Sequence, residues 1–475
     1  MTASGGFRAL VLGWPSDLGK EISRRSGIPF TFVEHPRHSL DDYGGRPPPD
    51  TLFFRRHLRE PMPEIDHALL ASLERDAVPS INNMVLGDRI VACLPYDSAL
   101  RYATFLARRL RELFEQARPS VVISSYDGLH SALSLAVARQ MRVPWFAVNF
   151  SVIPSGYACF CDTLMPRSRV QLTPPLAKVR ELAEKTLLGF EQRSMHAPAY
   201  VTPAALSPLA ILRRVPVRFG VTWEILRAAR NREHLRYTED ESAFNLRAAL
   251  RHLWRARSAS RSTARFGAIT QPPQRPFVLF GLHTQPESAI DVWAPFYSDQ
   301  YWVVRTLARA LPPSHTLLVK VHKSDAAKYS RADLERFEAI LGVKVVAPFA
   351  DTRQFVDRAD MIVSIQGTMG LEGALLGKPV LMLGDSPVAR FPSAERVGEL
   401  STLPDQFRRM LSRPRVSRES IVDAFVEFLG PFQPAMHNDW TIPKTAAEYE
   451  NLAYMFTLLR ARIEAGEGYG SVASA

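Results

Sequence analysis

Two stretches of this 475-residue chain alternate short apolar runs with segments of helical periodicity, and this alternation constrains the fold more than any other feature. In the first stretch the strand candidates are residues 7–12, 29–33, 51–54, 121–125 and 145–148, and the helix candidates are residues 98–117 and 131–141. In the second stretch the strand candidates are residues 277–281, 316–321, 343–347, 361–364 and 380–383, and the helix candidates are residues 299–311, 331–341, 352–358 and 369–376. Because strand–helix–strand successions at this spacing are typical of parallel sheets, the sequence predicts an α/β fold with two doubly wound, Rossmann-like domains.

Domain boundaries follow from composition. Proline-rich residues 271–276 separate the two stretches and indicate a break between domains. We therefore expect an N-terminal domain over residues 1–204, an arginine-rich helical connector over 205–272, a C-terminal domain over 273–430 and a C-terminal helical segment over 431–475. An apolar stripe predicts a helix over residues 446–463 in that last segment.

The positive charge of the chain is concentrated in one segment. The net charge is +11, and residues 205–265 contain thirteen arginines and five acidic residues, which gives 13 − 5 = +8. Such a cluster suits a membrane surface, a nucleic acid or an acidic glycan, or else it is a solvated helical connector. Interleaved apolar residues favour a membrane surface, and the small number of stacking aromatics makes nucleic acid the less favoured partner.

Cysteine usage and hydropathy bear on the compartment. The three cysteines, Cys93, Cys159 and Cys161, form no CxxC pair and are interpreted as free thiols of a cytoplasmic protein. Cys159 and Cys161 are expected on opposite faces of a strand. The sequence has no run of ~18 uncharged apolar residues and no secretory signal pattern at its start, so neither a spanning helix nor secretion is expected.

The loop after the fourth strand of the second stretch carries the strongest binding signal. A buried strand ends there, Gln366 and Gly367 form a turn, and a helix follows. The free N–H groups and the dipole of a helix start bind phosphate. We expect Thr368 to cap the helix or contact a phosphate, Gly370 to admit a ligand closely, and Glu372 to accept hydrogen bonds from sugar hydroxyls. A plain helix cap is the alternative.

Two other strand ends of the second stretch carry polar side chains. His283, Gln285 and Glu287 follow the first strand, and Lys320 and His322 follow or end the second. Such groups bind hydroxyls, carry protons or hold a phosphate. Because the carboxyl ends of parallel strands share one edge of a sheet, we expect them near one binding site, the alternative being polar surface loops.

In the first stretch, Asp127 and His130 lie between a predicted strand and helix and are acid/base candidates. A helix cap is an equally compatible role for Asp127. The sequence contains no HExxH, CxxC pair, DxD or GxSxG motif, so neither a catalytic metal nor a cofactor is expected.

A resemblance to the bacterial capsular polysaccharide biosynthesis glycosyltransferases rests on three runs: His283-Thr284-Gln285-Pro286-Glu287, Val319-Lys320-Val321-His322, and Gly367-Thr368-Met369-Gly370-Leu371-Glu372 followed by Gly377-Lys378-Pro379-Val380. The stretch from Asn82-Asn83 to Asp88-Arg89, with Tyr96-Asp97 and the loop of Asp127, is similar to the acceptor-side domain of that family. The resemblance covers residues 80–165 and 275–390. It implies the GT-B fold, with a nucleotide sugar between two Rossmann-like domains.

The resemblance also implies site residues. In that family the helix-opening Gly-Thr and the following glutamate lie at the donor, which here means Gly367, Thr368 and Glu372. The complete set of expected donor-binding residues is His283, Gln285, Lys320, His322, Gln366, Gly367, Thr368 and Glu372. The family's strand end usually reads His-Pro, whereas here Lys323 follows the histidine, so the identity of the donor nucleotide is not implied.

The sequence is therefore interpreted as a metal-independent glycosyltransferase, cytoplasmic and peripheral at the inner membrane face, that uses a nucleotide-sugar donor and a surface polysaccharide or lipid-linked acceptor. The helix start at residues 367–370 and Lys320 are expected to stabilise the leaving phosphate, and Glu287, Asp127 or His130 to take the acceptor proton. The alternatives are a nucleotide-sugar epimerase or polyol-phosphate transferase on the same fold, and a non-enzymatic scaffold that binds polysaccharide or nucleic acid.

Overall fold

The computed structural model describes residues 6–13, 16–33, 62–75, 78–89, 91–124, 127–172, 177–194, 268–325, 329–436 and 445–466. The strand candidate at 51–54 and the arginine-rich segment 205–265 lie outside these residues. The described residues form two compact units. The first consists of those up to residue 177 together with those from 430 onward, and the second of those between 178 and 429.

The elements are numbered along the chain. The strands are β1 (Ala9–Leu12), β2 (Phe30–Val33), β3 (Val121–Ser124), β4 (Trp145–Phe150), β5 (Tyr157–Cys161), β6 (Arg169–Val170), β7 (Phe277–Gly281), β8 (Thr316–Lys320), β9 (Val343–Val346), β10 (Met361–Ser364), β11 (Val380–Met382), β12 (Ala394–Arg396) and β13 (Gln433–Pro434). The helices are α1 (Ser16–Ser26), α2 (His67–Leu73), α3 (Ile81–Leu86), α4 (Tyr96–Ala117), α5 (Leu129–Met141), α6 (Val179–Glu191), α7 (Ser288–Asp291), α8 (Gln300–Ala310), α9 (Arg331–Glu338), α10 (Thr352–Arg358), α11 (Thr368–Leu375), α12 (Leu403–Leu411), α13 (Arg418–Leu429) and α14 (Ala446–Glu464).

The first unit is built on a mixed sheet with the strand order β13-β5-β4-β3-β1-β2, and β6 pairs with β5. Strands β2, β1, β3 and β4 are parallel, whereas β5 runs antiparallel to β4 and to β13. Strands β1 and β3 are buried along their whole length, which explains why they consist of nearly continuous apolar runs. Helix α14 covers one face of this sheet, where Phe456 packs edge-on against Phe160 of β5.

The second unit is built on a parallel sheet with the strand order β12-β11-β10-β7-β8-β9. Its first strand in sequence, β7, lies in the middle, and the chain winds outward first through β8 and β9 and then through β10, β11 and β12. Loops at the carboxyl ends of β7 and β10 therefore flank the point where the winding reverses, which is where doubly wound sheets bind ligands. The predicted α/β class with two doubly wound, Rossmann-like sheets is confirmed.

The prediction that Cys159 and Cys161 lie on opposite faces of a strand is wrong. Cys159 and Cys161 lie on the same face of β5, and both side chains are buried. Side chains alternate along a strand, so residues two apart share a face. Both are free thiols, as is the exposed Cys93.

Candidate functional site

The carboxyl ends of β7 and β10 meet at the reversal point of the second sheet. The two strands are parallel neighbours, with Phe280 opposite Val363. In the loops that follow them, the backbone N–H of Gln366 donates to Nε2 of His283 over 3.1 Å. This contact brings together two of the loops that the sequence singled out.

His283 is held rigidly in this contact. Only 6% of its surface is exposed. Its backbone N–H donates to Oε1 of Gln300 at 2.7 Å, and its carbonyl accepts from Nε2 of the same side chain at 2.9 Å. The pKa of His283 is lowered to about 4, mainly by burial and also by the charge of nearby His322, while the backbone of Gly281 opposes the shift. The ring is therefore neutral at pH 7, and Nε2 is available as the acceptor that positions the Gln366 turn.

Gly367 fits this turn because it has no side chain. A Cβ atom there would lie 2.9 Å from Nε2 of His283 and 3.3 Å from Oγ of Ser364. The Gly367 N–H donates to that Ser364 hydroxyl at 3.0 Å. The turn is thus clamped between the end of β10 and the histidine ring of the neighbouring loop.

The turn leaves the start of α11 open. Gly367 is the N-cap residue and provides no side-chain cap. The N–H groups of Thr368 and Met369 donate to no described residue, whereas the N–H of Gly370 bonds to the Gly367 carbonyl at 3.1 Å. Two free donors at a helix start, with the helix dipole behind them, form an arrangement that binds phosphate.

One of the two roles expected of Thr368, that of helix cap, is wrong, and so is the role expected of Gly370. Thr368 does not cap the helix; it is the first helical residue and its side chain is exposed, in reach of a ligand rather than of a cap position. Gly370 does not admit a ligand. A Cβ there would lie 2.7 Å from Sδ of Met382, so this glycine allows α11 to pack closely on β11.

Glu372 lies one turn further into α11 and is partly buried. Burial raises the pKa of its carboxyl to about 7, opposed by the charges of Arg353 and Lys323 and assisted by that of Asp357. Its carboxyl makes no hydrogen bond to a described residue. The group therefore changes charge close to neutral pH, beside the open helix start.

Lys320 is not directed at the open helix start. It ends β8 with 3% of its surface exposed, and its ammonium donates to the carbonyl oxygens of Pro348 at 2.6 Å and Val321 at 3.2 Å. The pKa of Lys320 is lowered to about 7, mainly by burial and also by the charge of Lys323. The bond to Pro348 thus ties the end of β8 to the loop after β9. Exposed His322 instead joins the loops after β7 and β8, with Nδ1 2.6 Å from Oγ1 of Thr284.

The rest of the loop after β7 is organised from within. The Gln285 side chain donates to Oδ1 of Asp291 at 3.3 Å and accepts from Gln300 at 2.9 Å, so it shapes the loop. Glu287 precedes α7 with its side chain exposed, and its backbone N–H donates to Oδ2 of Asp291 at 2.8 Å. Of these two predicted residues, Glu287 is the one whose side chain faces solvent.

Four residues of this edge were not found from the sequence. They are Ser364 and Gln300, described above, Asp325, whose buried carboxylate accepts from the Gln285 N–H at 3.1 Å, and Phe349, whose ring is 40% exposed beside Pro348. A small polar residue at the end of an apolar run was a usable signal for Ser364. Gln300 and Asp325 carry no local signal, because their roles depend on contacts with a loop that is distant in sequence.

In the first unit, Asp127 and His130 follow β3. Oδ2 of Asp127 accepts from Nη2 of Arg89 at 2.5 Å, and the pair is partly exposed. His130 is 3% exposed, and its Nε2 lies 3.3 Å from Oγ of Ser131, which accepts from Oγ of Ser124 at 3.1 Å. The carboxylate of Asp127 is thus the more accessible of the two acid/base candidates.

Asp88, not Asp127, caps the helix of this loop. Its buried carboxylate accepts the Leu129 N–H at 2.8 Å and the Val91 N–H at 3.0 Å. The N-cap residue itself is Gly128, whose φ of +87° places it in the left-handed region and which offers no side-chain cap. The alternative role of Asp127 as a helix cap is therefore wrong.

Two kinds of feature are absent from the described ranges: a cluster of metal-binding side chains and a membrane-spanning helix. In those ranges no three His, Cys, Asp or Glu side chains are grouped to hold a metal ion. None of the helices there combines the length and the apolar character needed to cross a bilayer.

The chain is similar to one protein family over part of its length and to several solved structures at low sequence identity. Residues 228–389 match the family model described as capsule polysaccharide biosynthesis protein. No curated protein matches the chain. Among solved structures, the UDP-GlcNAc 2-epimerase of Methanocaldococcus jannaschii in complex with UDP-GlcNAc and UDP is similar at 11% identity over 89% of this chain and 99% of that chain, with a TM-score of 0.29.

Two structures of Thermosulfurimonas dismutans KpsC are also similar. The beta Kdo 2,4 transferase has 15% identity over 70% of this chain and 87% of its own, with a TM-score of 0.31. The beta Kdo 2,7 transferase has 10% identity over 75% and 90%, with a TM-score of 0.33. The family match spans β7 to β11 with the open helix start between them, and it confirms the resemblance seen in the motifs: residues 228–389 are similar to the capsule polysaccharide biosynthesis family.

Proposed function

We propose that this protein is a glycosyltransferase of capsule polysaccharide synthesis that takes its sugar from a nucleotide-sugar donor. The observation that carries the proposal is the open start of α11, where the N–H groups of Thr368 and Met369 have no acceptor among the described residues. This helix start lies at the reversal point of a doubly wound sheet and inside the matched family range. A phosphate of the donor is the ligand that such a position favours.

The chemistry asks the protein to stabilise a leaving group. Transfer breaks the bond between the anomeric carbon and a phosphate oxygen, and negative charge grows on that phosphate. Donors that are already aligned stabilise this charge without reorganising. In this proposal His283 and Ser364 supply the alignment, because they clamp the turn from which the two N–H groups project. Exposed Thr368 adds a hydroxyl donor at the same place.

The acceptor hydroxyl must lose a proton to a base. Glu287 is exposed at the same edge as the open helix start, and Asp127 is partly exposed in the first unit. His130 is a weaker candidate because its ring is buried against Ser131. We therefore propose a carboxylate, Glu287 or Asp127, as the general base.

An acceptor-dependent transfer assay tests the function. The chain is incubated with UDP-, CMP-, GDP- and CDP-linked sugars, with and without oligosaccharide and lipid-linked acceptors, and products are identified by mass spectrometry. Nucleotide release coupled to acceptor glycosylation is the expected result. Conversion of a donor to a second nucleotide sugar without acceptor would instead identify an epimerase, and binding of a donor without turnover would identify a scaffold.

Replacing Thr368 by alanine tests the phosphate contact. The change removes one hydroxyl donor but leaves the backbone N–H groups, so we expect donor affinity to fall by ~1 kcal/mol, about fivefold. Titration calorimetry with the donor that the transfer assay selects measures the loss. An affinity equal to that of the unmodified chain would remove the Thr368 hydroxyl from the site.

We also propose that the protein is peripheral to an anionic membrane surface. The support is the +8 charge of residues 205–265 and the apolar residues interleaved with their arginines. We expect sedimentation with anionic vesicles at low salt, release at high salt, and no sedimentation with neutral vesicles. A chain that stays in the supernatant with anionic vesicles at low salt would show that this segment is not a membrane contact.

A further inference from the structure

An exposed tyrosine of the first unit is held as a fixed flat surface. Tyr96 begins α4, and 57% of its surface is exposed. Its hydroxyl donates to Oδ1 of Asn82 on α3 at 2.8 Å. Leu86 is one turn further along α3 on the same face as Asn82, and it is 69% exposed. We call Tyr96, Asn82 and Leu86 the Tyr96 surface.

The Tyr96 surface continues into the loop that carries Asp127. Arg89 follows α3 and pairs with Asp127 through one Nη atom. About a third of the Arg89 side chain remains exposed, at 33%. The neighbouring Asp88 fixes the same turn to the start of α5 through the Leu129 N–H. An exposed ring, an exposed amide and a partly exposed guanidinium are thus carried by one short stretch of chain, residues 82–96.

This combination matches the chemistry of a sugar ring better than that of a protein surface. A pyranose presents a face of C–H groups and an edge of hydroxyls. An amphipathic aromatic ring packs against the C–H face, and amide and guanidinium groups hydrogen-bond to the hydroxyls. The Tyr96 surface consists of three residues, whereas a stable protein interface takes about 20–30 residues a side.

We propose that the Tyr96 surface binds a sugar residue of a glycan chain, with the C–H face of the sugar on the Tyr96 ring and its hydroxyls at Asn82 and Arg89. Its use as the place where the acceptor binds rests on the proposed function. Binding of the glycan itself does not, because it requires no donor and no turnover.

Saturation-transfer difference NMR on the full chain tests the proposal with three oligosaccharides: maltohexaose, chitohexaose and an α2,8-linked sialic acid hexamer. We expect transfer to ring protons of at least one of them. Tyr96→Ala should reduce the affinity about five- to tenfold, the range expected for loss of one aromatic contact. Tyr96→Phe keeps the ring and loses only the bond to Asn82, so it should retain most of the binding.

Tyr454→Ala is the matched control, since Tyr454 is 53% exposed on α14 of the same unit and lies outside the Tyr96 surface. This variant should bind as the unmodified chain does. Equal binding by Tyr96→Ala, or no transfer to any of the three oligosaccharides, would overturn the proposal. Donor affinity, measured separately by calorimetry, should be unchanged in Tyr96→Ala, so a failure of the glycan surface is distinguishable from a failure of the proposed transferase function.

Discussion

Gly367→Ala should weaken donor binding by about 10- to 100-fold, the range expected when several hydrogen bonds of one turn are displaced. The added Cβ would lie 2.9 Å from Nε2 of His283, which is closer than such contacts allow. Either the histidine ring or the turn must move, and both movements break the bond from the Gln366 N–H. The free N–H groups at the start of α11 would then no longer converge on the phosphate position.

Gly398→Ala provides the matched control for calorimetry and thermal unfolding. Gly398 has open space around it, with no atom within 4 Å of an added Cβ, so this variant should bind and unfold as the unmodified chain does. Because Gly367→Ala introduces a clash at a single place, we expect the variant to fold but to have a lower Tm. If the Gly367→Ala protein is folded and binds the donor with undiminished affinity, the turn at Gly367 does not contribute to donor binding.

Glu372→Gln should stabilise the protein at pH 8 and have little effect at pH 5. The raised pKa of about 7 means that the folded protein keeps a proton on this carboxyl between its ordinary pKa of 4.5 and 7, whereas the unfolded chain does not. Stability contributed by this group is therefore complete below pH 4.5 and is lost as the pH rises through 7. Glutamine is neutral throughout, so the expected gain at pH 8 is at most ~3 kcal/mol at ~1.4 kcal/mol per pKa unit.

Calorimetric Tm values at pH 5 and pH 8 measure this difference. Glu427→Gln is the control, because Glu427 is an exposed glutamate on α13 of the same unit. It should leave the Tm at pH 8 almost unchanged. A Glu372→Gln protein with the same Tm as the unmodified chain at pH 8 would mean that the carboxyl is not held in its neutral form. Stabilisation accompanied by weaker donor binding would identify Glu372 as a residue retained for function.

Local pattern was sufficient to locate most elements of the second sheet. The predicted bounds 277–281, 352–358 and 361–364 coincide with β7, α10 and β10. The strands are short buried apolar runs ending at Gly281 or Ser364, and the helix follows Asp351, whose side chain accepts the Arg353 N–H. Such signals are contained within a few residues, which is why a single sequence reveals them. Strands β6, β12 and β13 were missed, because each of them is only two or three residues long.

The contacts that build the candidate site depend on pairs that are distant in sequence. His283 and Gln366 are 83 residues apart, and Asp88 and Leu129 are 41 apart. Composition indicated that polar groups gather at the strand ends, but not which of them face solvent. Lys320 is an example. A lysine at a strand end suggests a phosphate ligand from the sequence, but in the structure its ammonium donates to the carbonyl of Pro348.

The capping of α5 by Asp88 makes the start of this helix chemically different from the start of α11 in the other unit. In each unit a helix follows a strand at the reversal point of the sheet, α5 after β3 and α11 after β10. The positive end of α5 is already neutralised by a carboxylate from its own unit, whereas α11 starts from a glycine that supplies no charge. The Asp88 carboxylate thus takes the place at the start of α5 that an added anion would otherwise occupy. Of these two helix starts, the one of α11 is open to an added anion and the one of α5 is already occupied by a carboxylate, so an added phosphate ion is expected to favour the second unit.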